Sequence, residues 1–183
     1  MVSKRDWLDV GLVVLAEDGA PALTIERLSG RLGVTKGSFY HHFKGMSGFK
    51  SDLLAHFEAV CATGYIDQVE RGGGGAREKV ERLIGMVLDD DIRPTLEPAI
   101  RAWAMQDAEV RAVQERVDQV RISYVRTVWA EFGGPATEAA AMANLLYLVL
   151  VGAGHVLPPV GSDDLREVYA LTMRLAPDHP RET

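Results

Sequence analysis

The stretch that decides the fold runs from Thr24 to Lys50 and reads TIERLSGRLGVTKGSFYHHFKGMSGFK. Thr24 is a good helix N-cap, and Ile25, Leu28 and Leu32 fall on one face of the helix behind it. Gly33 supplies a turn, because glycine alone enters the left-handed region without a Cβ penalty. Thr35 caps a second, short helix, with Val34 before the cap and Phe39 after it placed as a hydrophobic staple. Phe39 and Phe43, four residues apart, face inward and hold that helix on its neighbours. Two short helices joined by a tight turn at Leu32-Gly33-Val34 are the plan of a helix-turn-helix. In that plan the second helix enters the DNA major groove with its N-terminus first.

The remaining positions of the second helix carry suitable chemistry. The Thr24 and Thr35 hydroxyls stand at helix starts, where backbone N–H groups and the helix dipole also favour phosphate. Lys36 can reach a guanine edge or a phosphate. Gly37 has no side chain and lets the backbone approach a base. Ser38, Tyr40 and His41 can hydrogen-bond to base edges or phosphates. A helical hairpin used only for packing would show similar spacing, so composition alone leaves both readings open.

Working outward, helical periodicity dominates and no run of alternating strands is seen. Ser3 and Asp6 have capping-box spacing before Leu8, Gly11, Leu12 and Leu15, and Gly19 ends that helix. A fourth helix is predicted from near Ser47 to about Tyr65. Gly72 to Gly75 is a flexible break, and Asp89-Asp90-Asp91 is a second one. Pro94 suits a helix start. Helices are further predicted over Asp107 to Phe132, over Ala136 to about His155, and from a cap at Ser162 or Asp163 to about Leu175. The expectation is an all-α fold of about nine helices.

Charge is distributed unevenly. The 183-residue chain carries a net −6. Residues 1–51 hold seven Lys/Arg and five Asp/Glu, which gives +2, and the remainder holds 13 and 21, which gives −8. A mildly basic N-terminal segment on an acidic body suits docking on phosphates by the former alone. The single cysteine, Cys61, excludes a disulfide framework or a cysteine metal cluster within one chain and fits a reducing cytoplasm. The N-terminus turns amphipathic at once, so no signal peptide is expected. No Ser/His/Asp set, phosphate loop, HExxH or dinucleotide fingerprint is present, which argues against an enzyme, and no cofactor or catalytic residue is assigned. No metal site is expected either. His41 and His42 point about 100° apart on a helix, and the acidic triplet reads as a solvated loop.

The run GVTKGSFYHHFK, residues 33–44, resembles the recognition-helix signature of TetR-family bacterial transcriptional regulators, with Gly33, Val34, Phe39, Tyr40, His42 and Phe43 in register. The similarity extends from Ser3 to about Leu54. It implies an all-helical, cytoplasmic dimer with a helix-turn-helix DNA-binding domain over residues 1–46 and an effector-binding and dimerisation domain over 47–183. It implies a ligand-responsive repressor on a palindromic operator in double-stranded DNA. The implied DNA contacts are Thr24, Thr35, Lys36, Gly37, Ser38, Tyr40, His41 and His42, with Lys44 beside them. Met46 stands where the family usually places a phosphate-contacting lysine, and Lys44 and Lys50 are the candidates to replace it.

The resemblance also directs the reading of the body. The apolar run from Ala139 to Leu157 is interrupted by Asn144, Tyr147 and His155 and lacks a flanking basic excess, so a buried helix is preferred to a membrane span. Family members pair their last two helices with those of a second subunit. Leu145, Leu148, Val149, Leu165, Tyr169 and Met173 are the interface candidates. An unidentified small-molecule effector is expected in the body, with Met86, Trp103, Met105, Tyr124 and Tyr147 as candidate contacts because they suit a mixed apolar pocket. A regulator that answers to a protein partner instead is left open by the sequence.

Overall fold

The structure, a computed structural model, describes residues 2–176. Among these residues all regular structure is helical. In chain order the helices are α1 (Lys4–Asp18), α2 (Ile25–Leu32), α3 (Lys36–His42), α4 (Met46–Glu58), α5 (Tyr65–Arg71), α6 (Ala76–Leu88), α7 (Arg93–Ala104), α8 (Ala108–Ala130), α9 (Ala136–Ala153) and α10 (Ser162–Met173). A π-helical stretch, Ala59–Gly64, joins α4 to α5 without a break, so the described residues form nine rods. The fourth helix therefore runs past its expected end near Tyr65 and stops only at the glycine run after Arg71.

Helix boundaries follow from local chemistry. The Ser3 hydroxyl accepts from the Asp6 N–H at 3.2 Å, and the Asp6 carboxylate accepts from the Ser3 N–H at 2.7 Å, completing the expected capping box. Thr24 Oγ1 accepts from the Arg27 N–H at 3.2 Å. At the end of α2, Gly33 sits at φ 65° and ψ 31°. There the Val34 N–H reaches the Ser29 carbonyl (3.1 Å) and the Gly33 N–H the Gly30 carbonyl (3.3 Å), which is a Schellman stop. Asp107 caps α8 through Oδ1, which accepts from the N–H groups of Glu109 (3.0 Å) and Val110 (3.3 Å). Two caps differ from expectation. Thr35 occupies the N-cap of α3, but its hydroxyl makes no cap bond; its carbonyl takes the Ser38 N–H at 3.0 Å. The N-cap of α10 is Gly161, which leaves Ser162 inside the first turn.

The described chain divides into two compact units. The first holds residues 2–60 and 92–115, that is α1 to α4, α7 and the start of α8. Its core is aromatic: Trp7, Phe39, Phe49 and Phe57 are wholly inaccessible. Trp7 meets Phe39 edge-on with ring centroids 5.4 Å apart, and Phe43 meets Phe49 edge-on at 5.1 Å. Such pairs are worth about 0.5–1.5 kcal/mol each beyond the area they bury. Gly11 lets α1 approach α4 closely. A Cβ there would lie 2.8 Å from Phe49 Cζ and 2.9 Å from Leu53 Cδ1.

The second unit holds residues 61–91 and 116–176. Its core draws Val80 and Leu88 from α6, Val125, Val128 and Trp129 from α8, Ala139, Ala143 and Leu146 from α9, and Leu165, Tyr169 and Met173 from α10. α9 is long and apolar enough to cross a bilayer by length and composition. In the fold it spends Ala139, Ala143, Leu146, Tyr147 and Ala153 on buried packing, with the small residues admitting its neighbours.

Candidate nucleic-acid interface

α3 is amphipathic in the sense a groove-entering helix needs. Phe39 is fully buried and Phe43, just after the helix, nearly so, while Thr35, Lys36, Gly37, Tyr40, His41 and Lys44 are exposed. The inward pair ties α3 down: Phe39 and Phe43 lie 5.0 Å apart and both meet Trp7 of α1 edge-on. The outward side chains then share one face because α3 is short and straight-sided, about two turns long. Thr24, at the head of α2, is exposed as well, and Ser38 is half-buried.

Besides Thr24, whose hydroxyl caps α2, two of the nine DNA-contact candidates already have partners. The Lys36 ammonium is ion-paired with the Glu26 carboxylate of α2, and that hydrogen bond holds Glu26 below the ordinary carboxylate range. Both groups are well exposed, and such pairs exchange readily for a phosphate. His42 is half-buried, and its Nε2 lies 3.2 Å from the Val2 carbonyl, to which it donates. His42 therefore fastens the N-terminal segment to the end of α3, whereas its neighbour His41 stays on the exposed side.

The two substitutes for a helix-four lysine separate cleanly. Lys50 bonds to Asp107 at 2.7 Å and Glu109 at 2.8 Å, and its ammonium sits 5.8 Å from the Trp103 ring centroid. Burial lowers its pKa, but the bonds and charges of both carboxylates outweigh that, so the net shift is upward. In return Lys50 holds Asp107 and Glu109 below their ordinary range. Lys50 is thus committed within the first unit, and Lys44 is the exposed cation next to α3. This ion cluster was invisible in sequence because its members lie 57 and 59 positions apart.

The body candidates are more scattered. Trp103 and Met105 belong to the first unit, while Met86, Tyr124 and Tyr147 belong to the second. Met105 is 79% exposed just past α7. Met86 and Trp103 are half-buried. The Tyr124 hydroxyl donates to Glu70 at 2.6 Å, and burial together with that carboxylate raises its pKa. Tyr147 is buried in a polar set that the sequence reading did not find. Its hydroxyl donates to Asp118 at 2.6 Å and accepts from Arg121 at 3.4 Å, and Arg121 Nε donates to the Cys61 carbonyl at 2.9 Å. The i, i+3 spacing of Asp118 and Arg121 on α8 was the available signal. Among the interface candidates, Leu145 and Leu148 are exposed and Val149 is half-buried, but Leu165, Tyr169 and Met173 serve the chain's own core.

Comparison with known proteins adds a family to this geometry. Residues 8–49 match the model of bacterial regulatory proteins of the tetR family. The HTH-type transcriptional repressor KstR2 of Rhodococcus jostii is 29% identical over 69 residues, covering 33% of this chain and 34% of that protein. The chain thus matches about a third of the length of that curated relative. Likeness of fold reaches further. A transcriptional regulator from Rhodococcus sp. Rha1 is 18% identical, with a TM-score of 0.75 over 96% of both chains. A protein of Saccharomonospora viridis, solved in complex with choline, is 16% identical with a TM-score of 0.73, over 94% of this chain and 95% of its own. Residues 8–49, which carry the helix-turn-helix of α2 and α3, thus match the model of bacterial regulatory proteins of the tetR family, and over the rest of the chain the likeness to these solved proteins is one of fold.

Proposed function

We propose that this protein is a ligand-responsive, sequence-specific transcriptional repressor that binds a palindromic operator as a homodimer in the cytoplasm. The observation that carries the proposal is the exposed face of α3: Thr35, Lys36, Gly37, Tyr40, His41 and Lys44 point away from a helix whose other side is locked by Phe39 and Phe43. The repressor KstR2 shares sequence with a third of the chain and supports the direction of regulation. In this reading residues 1–46 form the DNA-binding domain, residues 47–183 the effector and dimerisation domain, and Thr24 and Ser38 add phosphate contacts.

A two-fold dimer places two α3 helices in successive major grooves, with half-sites ~34–36 Å apart. Leu145 and Leu148 of α9, with Val168 and Leu171 of α10, supply the exposed apolar surface for pairing. The effector is a small molecule with at least one polar group, met by the buried Arg121 and Tyr147 and the half-buried Asp118; the choline complex of the Saccharomonospora viridis protein favours a small-molecule ligand. Effector binding shifts the population between two arrangements of α4, and so changes the spacing of the two recognition helices. Gly45 and Gly48 soften the start of that helix, and the π stretch offers a hinge further along it.

Selection of bound duplexes from a random DNA pool tests the proposal. A recovered palindrome with half-sites one helical turn apart is the expected result. Recovery of no enriched sequence by the folded, full-length protein would remove it.

A further inference from the structure

Within the second unit, α6 and α10 border an open groove of about 560 Å³. That volume lies within the ~300–1,000 Å³ range of small-molecule sites. None of the effector candidates named above lines it. Its apolar wall includes Ile84 of α6 and Met173 of α10, and its polar rim carries Arg77, Arg166 and Arg174.

α10 and the turn that follows it sort their residues into three stripes. Leu165, Tyr169 and Met173 are buried in the core, and Val168, Leu171 and Leu175 form an exposed apolar stripe. Arg166 and Arg174, eight positions apart with Ala170 between them, make a third stripe beside the groove. Arg77 is fixed in place. Its guanidinium donates to the carbonyls of Met173 (3.4 Å) and Ala176 (3.3 Å) and lies 5.9 Å from the Phe132 ring centroid. Arg166 is ion-paired with Asp89, and Glu81 lies 4.0 Å from Arg77. Three guanidinium groups and one carboxylate, Glu81, therefore line the groove, on a chain whose net charge is −6.

We propose that this groove binds a small anionic amphiphile: a carboxylate or phosphate head joined to a short apolar body. Arg174 and Arg166 grip the head in the two-pronged geometry that guanidinium groups offer to such oxyanions. The apolar body lies along Ile84 and Met173, whose flexible thioether adapts to its shape. Asp89 competes with the ligand for Arg166. The site is distinct from the effector site proposed above, so each can fail without the other.

Octanoate, octyl phosphate and octanol are titrated into the full-length protein. Binding is followed by calorimetry and by the methyl resonance of Met173, assigned through Met173→Leu. One or both of the anions should shift that resonance saturably, and octanol should not. Arg166→Gln with Arg174→Gln should weaken anion binding at least tenfold, and Asp89→Asn should tighten it. The proposal is overturned if neither anion moves the Met173 signal, if octanol binds as tightly as the anions, or if the double arginine variant binds them unchanged.

Discussion

Removing the Tyr40 side chain separates DNA recognition from folding. Tyr40 is 62% exposed, and its ring meets that of Phe39 edge-on, with centroids 5.6 Å apart. Tyr40→Ala therefore forfeits about 0.5–1.5 kcal/mol of aromatic pairing and little buried area. The cost to DNA binding is larger if the hydroxyl reads a base edge, about 1–3 kcal/mol per half-site. A two-fold complex loses it twice, about 2–6 kcal/mol, which is roughly 30-fold to 10⁴-fold in affinity. Tyr40→Phe keeps the ring pair, so it should melt with the parent and still lose the hydroxyl's share of binding. The assay is fluorescence anisotropy with the selected operator at one fixed salt concentration, because phosphate contacts make affinity salt-dependent. Melting is measured alongside. The reasoning is refuted if folded Tyr40→Ala binds that operator within twofold of the parent.

Three further outcomes are expected. Gly11→Ala trades about 1 kcal/mol of gained helix propensity against about 1–3 kcal/mol of overpacking on Phe49 and Leu53. It should lower the melting temperature, and Gly11→Val more so; a rise with both would contradict the close approach of α1 and α4. Lys50→Met removes a cluster whose Asp107 and Glu109 are held below their ordinary 3.8 and 4.5 and whose Lys50 is held above 10.5. The carboxylates' share of stability is full above their ordinary values and disappears as pH falls through the depressed ones, while the lysine's share is full below 10.5 and disappears above its raised value. The melting difference between parent and variant should thus be widest between about pH 5 and 10 and narrow toward pH 3; a gap that widens in acid would sink this account. Leu148→Glu, at a position 67% exposed, should leave the subunit folded but halve the particle mass in sedimentation. A surviving dimer would move the pairing surface away from α9.

Local chemistry made much of the fold legible. Ser3 with Asp6, Thr24, and Gly33 marked three helix boundaries that the structure realises with the expected hydrogen bonds. The spacing of Phe39 and Phe43 told which side of α3 is buried, and hence which residues face outward. What escaped depends on distant parts of the chain. Apolar residues at Leu165, Tyr169 and Met173 have the same spacing whether they meet their own subunit or another, and only the assembled core shows that they are used at home. Lys50 reads as a spare cation until the turn before α8 brings Asp107 and Glu109 to it. Pro98 offers the opposite lesson: it lies inside α7 without ending it, although the residue type predicts a stop. The π stretch at Ala59–Gly64 likewise changes the turn geometry without any glycine or proline between Phe49 and Thr63 to announce it.

The make-up of the first unit bears on how this protein could be taken apart. α1 rests on α7 as well as on α2 and α4, and α7 enters the chain more than 30 residues after that unit's first segment closes at Val60. A fragment cut at a single linker to isolate the helix-turn-helix portion would strip α1 of that support and bare its apolar flank. Grafting this portion onto another protein therefore calls for two crossovers, carrying residues 92–115 along with the N-terminal segment.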